Sequence, residues 1–150
     1  MKIGDLAEQA DCAVETIRYY ERIGLIPPPQ RNPDNNYRRY SQEHLDTLNF
    51  IRHCRALDMA QEEIRRLLEA RQHPQQPCQE INQLLDHHLQ HVQCRIAQLS
   101  ELARQLQDIR SQCQGQGAVD SCGILQELTH PSQPLGTELD ASHVGGCHKG

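Results

Sequence analysis

Apolar residues recur along this chain in a helical rhythm that is broken, resumed and finally changed. From Ile3 to Ala10 they fall on one face of a short helix, at Ile3, Leu6, Ala7 and Ala10. Residues 11–13 make a tight connection. Val14 and Ile17 then resume the spacing, with Glu15, Arg18 and Arg22 on the outer side. Gly24 stands where this second helix has to stop, and Pro27, Pro28 and Pro29 keep it from restarting. Asn32, Pro33, Asp34, Asn35 and Asn36 are turn formers, and residues 37–40 alternate aromatic and basic side chains, which suits a short hairpin strand. Two further helices follow. One buries Leu45, Leu48, Phe50, Ile51 and Cys54; the other buries Ile64, Leu67 and Leu68. Ser41 is expected to cap the first and Asp58 the second, with His44 and His53 on the surface and Cys12 and Cys54 as packing groups.

After a turn at residues 72–78 the rhythm becomes heptad. Leu85, Leu89, Val92, Ile96, Leu99, Ala103 and Leu106 are spaced alternately four and three apart, a coiled-coil seam on one long helix. Continuing the spacing reaches Arg110 and then Cys113. Gln83, Gln90, Gln93, Gln98 and Gln105 make the remaining surface too polar for burial within one chain. The predicted organisation is mainly α: a helical domain with a winged helix-turn-helix over residues 1–72, a hinge at 73–78 and a dimerisation helix at 79–113. A loop with a short helix at 114–130 and a flexible tail at 131–150 complete it.

Composition agrees with a chain that finishes its burial on a second copy. Only 37% of its 150 residues are hydrophobic, with one Phe and no Trp. No apolar run approaches the ~20 residues that span a membrane, and nothing resembles a signal peptide. A cytoplasmic setting is expected, where seven cysteines read as reduced metal or redox groups rather than disulfides. No Cys-x-x-Cys pair or glycine-rich phosphate loop supports an enzyme.

Net charge is −5, but it is uneven. Between Thr16 and Tyr40 stand five arginines (18, 22, 31, 38 and 39) against Glu21 and Asp34. A basic patch on an acidic protein points to one local anionic partner. The second helix offers Thr16, Arg18, Tyr19 and Arg22 to a major groove, and the hairpin offers Tyr37, Arg38, Arg39 and Tyr40 to backbone or minor groove. Double-stranded DNA is the expected partner. The segments "IGDLAEQADCAVETIRYYERIGLI", "NYRRY" and "LDMAQEEIRRLL" resemble the DNA-binding domain of the MerR family of transcriptional regulators. The resemblance covers the first half of the chain and implies a winged-helix homodimer on a palindromic operator.

The chemistry of the second half lies in its cysteines. Cys113 and Cys122 are separated by eight residues with no other ligand between them. Cys78 precedes the long helix, and a rise of 1.5 Å per residue puts it roughly 50 Å from Cys113 in its own chain. Parallel helices would leave it there. Antiparallel helices bring Cys78 of one subunit to Cys113 and Cys122 of the other, giving two equivalent sites per dimer. The MerR resemblance implies the same arrangement. Three thiolates without carboxylates select a soft ion, cadmium, lead or mercury, while zinc would need a histidine or water as well.

Within the family, "LDHHLQHV", "RSQCQ" and "DSCGILQEL" are similar to the cadmium- and lead-responsive branch. A second metal site is expected from His88 and His91, which share a helical face, together with His143, Cys147 and His148 of the tail. The resemblance implies that metal binding distorts promoter DNA so that RNA polymerase can engage it, and that the controlled gene encodes metal efflux. A metal-buffering protein is the alternative, against which the basic helix and hairpin weigh.

Overall fold

The computed structural model describes residues 1–35 and 37–134. Two compact units divide the chain, the first over Met1–Asn82 and the second beginning at Gln83. The division thus falls inside the start of the long helix rather than at the expected hinge, residues 73–78.

The first unit is a small helical core. Helix α1 (Ile3–Gln9) and helix α2 (Val14–Arg22) are followed by an antiparallel hairpin of strands β1 (Gln30–Arg31) and β2 (Arg38–Arg39), then α3 (Gln42–Ala56) and α4 (Gln61–Arg71). In the hairpin Gln30 pairs with Arg39 and Arg31 with Arg38. Leu6, Ile17, Ile26, Leu48, Ile51 and Ile64 are its largest fully buried side chains. Each stabilises the fold by about 1.5–3 kcal/mol through removal from water, so a core this small depends on every one of them.

Two arginines hold the helix-turn-helix from behind. Arg52 donates to the Ala10 carbonyl at the end of α1 at 2.6 Å, and Arg65 donates to the Ile23 carbonyl at the end of α2 at 2.7 Å. Both satisfy carbonyls that a helix terminus leaves without partners, and both place a cation at the negative end of the helix dipole. Gly24 ends α2 at φ +77°, a conformation that glycine adopts without penalty. The Leu25 amide closes that turn onto the Tyr20 carbonyl at 2.9 Å.

The expected caps divide. Ser41 is the residue that opens α3. Its amide donates to Nδ1 of His44 at 3.0 Å, and Nε2 of His44 meets the Pro27 carbonyl at 3.2 Å. His44 is therefore not a surface group: it is 4% exposed and takes the reciprocal part in the cap that a Glu would otherwise play. An amide only donates and a carbonyl only accepts, so Nδ1 takes the accepting role here and Nε2 the donating one. Asp58 does not cap α4. It lies at φ 60°, in the left-handed turn that stops α3, a conformation its short polar side chain tolerates. Ala60 opens α4 instead, with its amide bonded to Glu63 at 2.9 Å.

Helix α5 spans Gln79–Arg110, a 3-10 turn covers Val119–Ser121, and helix α6 covers Gly123–Thr129. Along α5, Leu84, His88 and His91 are buried. The heptad seam is open: Leu89 is 54% exposed, Ile96 58%, Leu99 51% and Leu106 59%. The helix stops three residues short of the expected end. Gln112 and Cys113 donate to carbonyls three residues back, Ile109 and Arg110, the tightened last turn common at helix ends. Cys113 is thus beyond the helix rather than on its seam. Among the described residues no helix is long and apolar enough to cross a membrane.

Candidate nucleic-acid interface and metal centre

Helix α2 carries an exposed basic face. Arg18, Tyr19 and Arg22 are exposed and Thr16 is half-buried in the first turn. Tyr19 is held on two sides: its hydroxyl lies 3.2 Å from the Gln61 side-chain oxygen of α4, and the Arg22 guanidinium sits 5.6 Å from its ring centroid. The hairpin adds exposed Tyr37, Arg38 and Arg39. Arg18, Arg22, Arg31 and Arg38 converge on one cleft between α2 and the hairpin, lined also by Pro28 and Pro29, with Glu21 its one acid among the described residues. Four guanidinium groups in a cleft suit a phosphate backbone. Arg31 joins this set although the spacing of the sequence singled it out only as part of a charge count.

Tyr40 does something different from its neighbours. It is 3% exposed, which closes it to a nucleic acid. Its hydroxyl donates to the Glu21 carboxylate, and Arg38 lies 3.9 Å from the same carboxylate. Burial first, then the hydrogen bond to Glu21 and that carboxylate's charge, pushes its phenol up to about 12. Glu21 thus ties the recognition helix to the second hairpin strand through a buried hydroxyl and an exposed guanidinium.

In the second unit the loop after α5 folds back so that Cys122 meets Cys113. The Cys122 thiol lies at the start of α6, where the Leu125 amide, then the Ile124 amide, then the Cys113 thiol hold it below the usual thiol range. Cys113 accepts the Gly115 amide at 3.4 Å. Both thiols are half-buried, whereas Cys78 is exposed in the first unit, directly before α5. Cys12 and Cys54 fit their expected packing role: burial pushes both thiols up. Among the described residues no three His, Cys, Asp or Glu groups of one chain come together as a metal cage.

His88 and His91 share the buried side of α5 with Leu84. Cys94 follows three residues later and is half-buried. It is disulfide-bonded, which corrects the expectation that the cysteines are reduced rather than paired. His143, Cys147 and His148 lie outside the described residues.

The comparisons with known proteins agree with this layout. Residues 1–71 match the family described as MerR HTH family regulatory protein, and residues 45–109 match a MerR DNA-binding region. A homolog of the transcriptional regulator ZntR from Haemophilus influenzae is 48% identical over 110 residues, 73% of this chain and 81% of that protein. The chain belongs to the MerR family. A lead(II)-bound transcription regulator from Ralstonia metallidurans has the same fold with a TM-score of 0.78 at 44% identity, covering 85% of this chain and 98% of that one. A mercury(II)-bound MerR from Bacillus megaterium gives a TM-score of 0.67 at 27% identity, covering 86% and 99%. The protein is accordingly a MerR-type transcriptional regulator and not an enzyme. Regulators of this family act as homodimers on promoter DNA.

Proposed function

We propose that this MerR-type regulator senses a soft divalent heavy-metal ion, cadmium first, with lead, zinc and mercury as the other ions its ligands would take. It answers in the cytoplasm by activating metal-resistance and efflux genes. The observation that carries this reading is the folded-back loop that sets Cys122 beside Cys113 with no third ligand from the described part of the chain. Two thiols and an open position ask for a ligand from a second copy. The 32 residues of α5 stand between Cys78 and Cys113, so Cys78 of the partner subunit reaches the pair when the two α5 helices pair antiparallel through their exposed seams. Twofold symmetry then makes two such sites. Three thiolates favour a large soft ion over magnesium or calcium, and zinc would add a fourth ligand. The lead and mercury complexes of the two similar proteins support the ion class.

On the DNA side, Thr16, Arg18, Tyr19 and Arg22 of α2 enter the groove while Tyr37, Arg38 and Arg39 hold the backbone. Cys78 sits close after α4, in the unit that grips DNA. Drawing it toward the other chain's loop turns that unit and bends and untwists the operator, a deformation that brings the promoter elements into reach of RNA polymerase. His88 and His91, on the buried side of α5, offer two imidazoles to an auxiliary loading site.

The test is a titration of the purified dimer with cadmium, lead, zinc and mercury, read by thiolate-to-metal absorption and stoichiometry, beside a promoter assay. Two equivalents of cadmium per dimer at the thiol sites are expected. Cys78→Ser should abolish induction and leave operator binding within about twofold, since an exposed residue outside the DNA face costs little when changed. Retained induction, or loss of operator binding, contradicts the assignment.

A further inference from the structure

The close approach that brings the two thiols together passes through a glycine. Gly123 is the first residue of α6 and follows Cys122; Gln112 lies just past α5 and precedes Cys113. A Cβ on Gly123 would overlap the Gln112 backbone oxygen, and would lie 3.1 Å from both the carbonyl carbon and the Cβ of Gln112. The obstacle is main chain, which cannot swing aside as a flexible side chain would. Gly123 has no need of glycine for its own backbone angles, because the positive-φ glycines among the described residues are Gly24, Gly115 and Gly117. What the position requires is space alone.

We infer that Gly123 is a positioning residue for the thiol pair: its bare Cα lets the Cys122–Gly123 segment lie against Gln112–Cys113, and this contact sets the bite of the two sulfurs on an incoming soft metal ion. A methyl group at 123 must push α6 off the end of α5. Cys122 moves with it, because its thiol takes its amide partners, Leu125 and Ile124, from the first turn of that helix. The two thiols then part while each keeps its local surroundings. This inference rests on the reading of Cys113 and Cys122 as metal ligands.

The experiment compares full-length protein with Gly123→Ala, with Cys122→Ser and with Gln126→Ala, an exposed site on the same helix. Cadmium affinity is read by competition with a chelator, and the thiolate-to-metal band is recorded alongside metal-free operator binding. Gly123→Ala should lose about tenfold or more in cadmium affinity, the scale seen when a ligand's supporting partner is removed, with a changed band and unaltered metal-free operator binding. Gln126→Ala should match the unmodified protein. In parallel, a short bifunctional thiol reagent followed by peptide mass spectrometry should bridge Cys113 to Cys122 in the unmodified protein and fail to do so in Gly123→Ala, a readout that needs no metal. Unchanged cadmium binding and bridging in Gly123→Ala, with Cys122→Ser impaired, overturns the inference and leaves the metal site standing. A Cys122→Ser protein that binds cadmium as before overturns the metal reading and the inference with it.

Discussion

Tyr40 shows most clearly how one side chain can serve a DNA-binding surface without touching DNA. Its hydroxyl is buried against Glu21, and the same carboxylate holds Arg38 at the edge of the basic cleft. Removing the hydroxyl leaves a nearly buried carboxylate short of a donor, which costs about 1–3 kcal/mol. Tyr40→Phe should therefore lower the urea-unfolding free energy by that amount and weaken operator binding; equal stability would show that the tether carries no energy. The pH dependence has a definite sign. The folded state raises the phenol from its ordinary value of 10.0 to about 12, so the neutral form is favoured by folding. That contribution is whole below about pH 10 and is lost as pH rises toward about 12, and Tyr40→Phe should flatten this stretch of the stability profile. From sequence, Tyr40 reads as one more member of an aromatic and basic strand. Alternation along a strand tells which residues share a face, but not which face the core takes. His44 misleads in the same way: nothing in its neighbours reveals that Ser41 and Pro27 will enclose it.

The elements themselves are legible because their periods are physical. The short helices follow from apolar residues three and four apart, and the long one from a seven-residue repeat. Their ends are written less clearly. Asp58 looks like a cap and instead stops the previous helix, since the same short side chain suits both jobs. The heptad count runs on to Cys113, yet the backbone leaves the helix at Arg110. A period has no built-in end, and the turn is set by where the loop must go to bring Cys122 back. The seam carries the prediction at this scale. Leu99 is half exposed in the single chain, and its place in the repeat puts it against a second copy. Leu99→Lys sets a charge into that contact and should weaken dimerisation about a hundredfold, equivalent to about 2.8 kcal/mol, by sedimentation equilibrium. Unchanged association would move the interface to another face of α5.

For the whole molecule, the sequence made the division of labour readable: a basic helix and hairpin first, a dimerising helix next, and cysteines just outside its two ends. In the proposed site, the 32 residues of α5 between Cys78 and Cys113 are what call for a second chain. What spacing did not reveal is how Cys122 is returned to Cys113, a matter of loop geometry and one glycine. The central claim, that thiols from two chains complete each site, is tested most directly by mixing subunits. Cys78→Ser and Cys122→Ser homodimers should each lack a complete site. A heterodimer of the two, isolated through two different affinity tags, keeps one intact set made of Cys78 from one chain with Cys113 and Cys122 from the other. One high-affinity cadmium ion per heterodimer is expected, and none in either homodimer. A heterodimer that binds no cadmium at high affinity, like its parents, would contradict it.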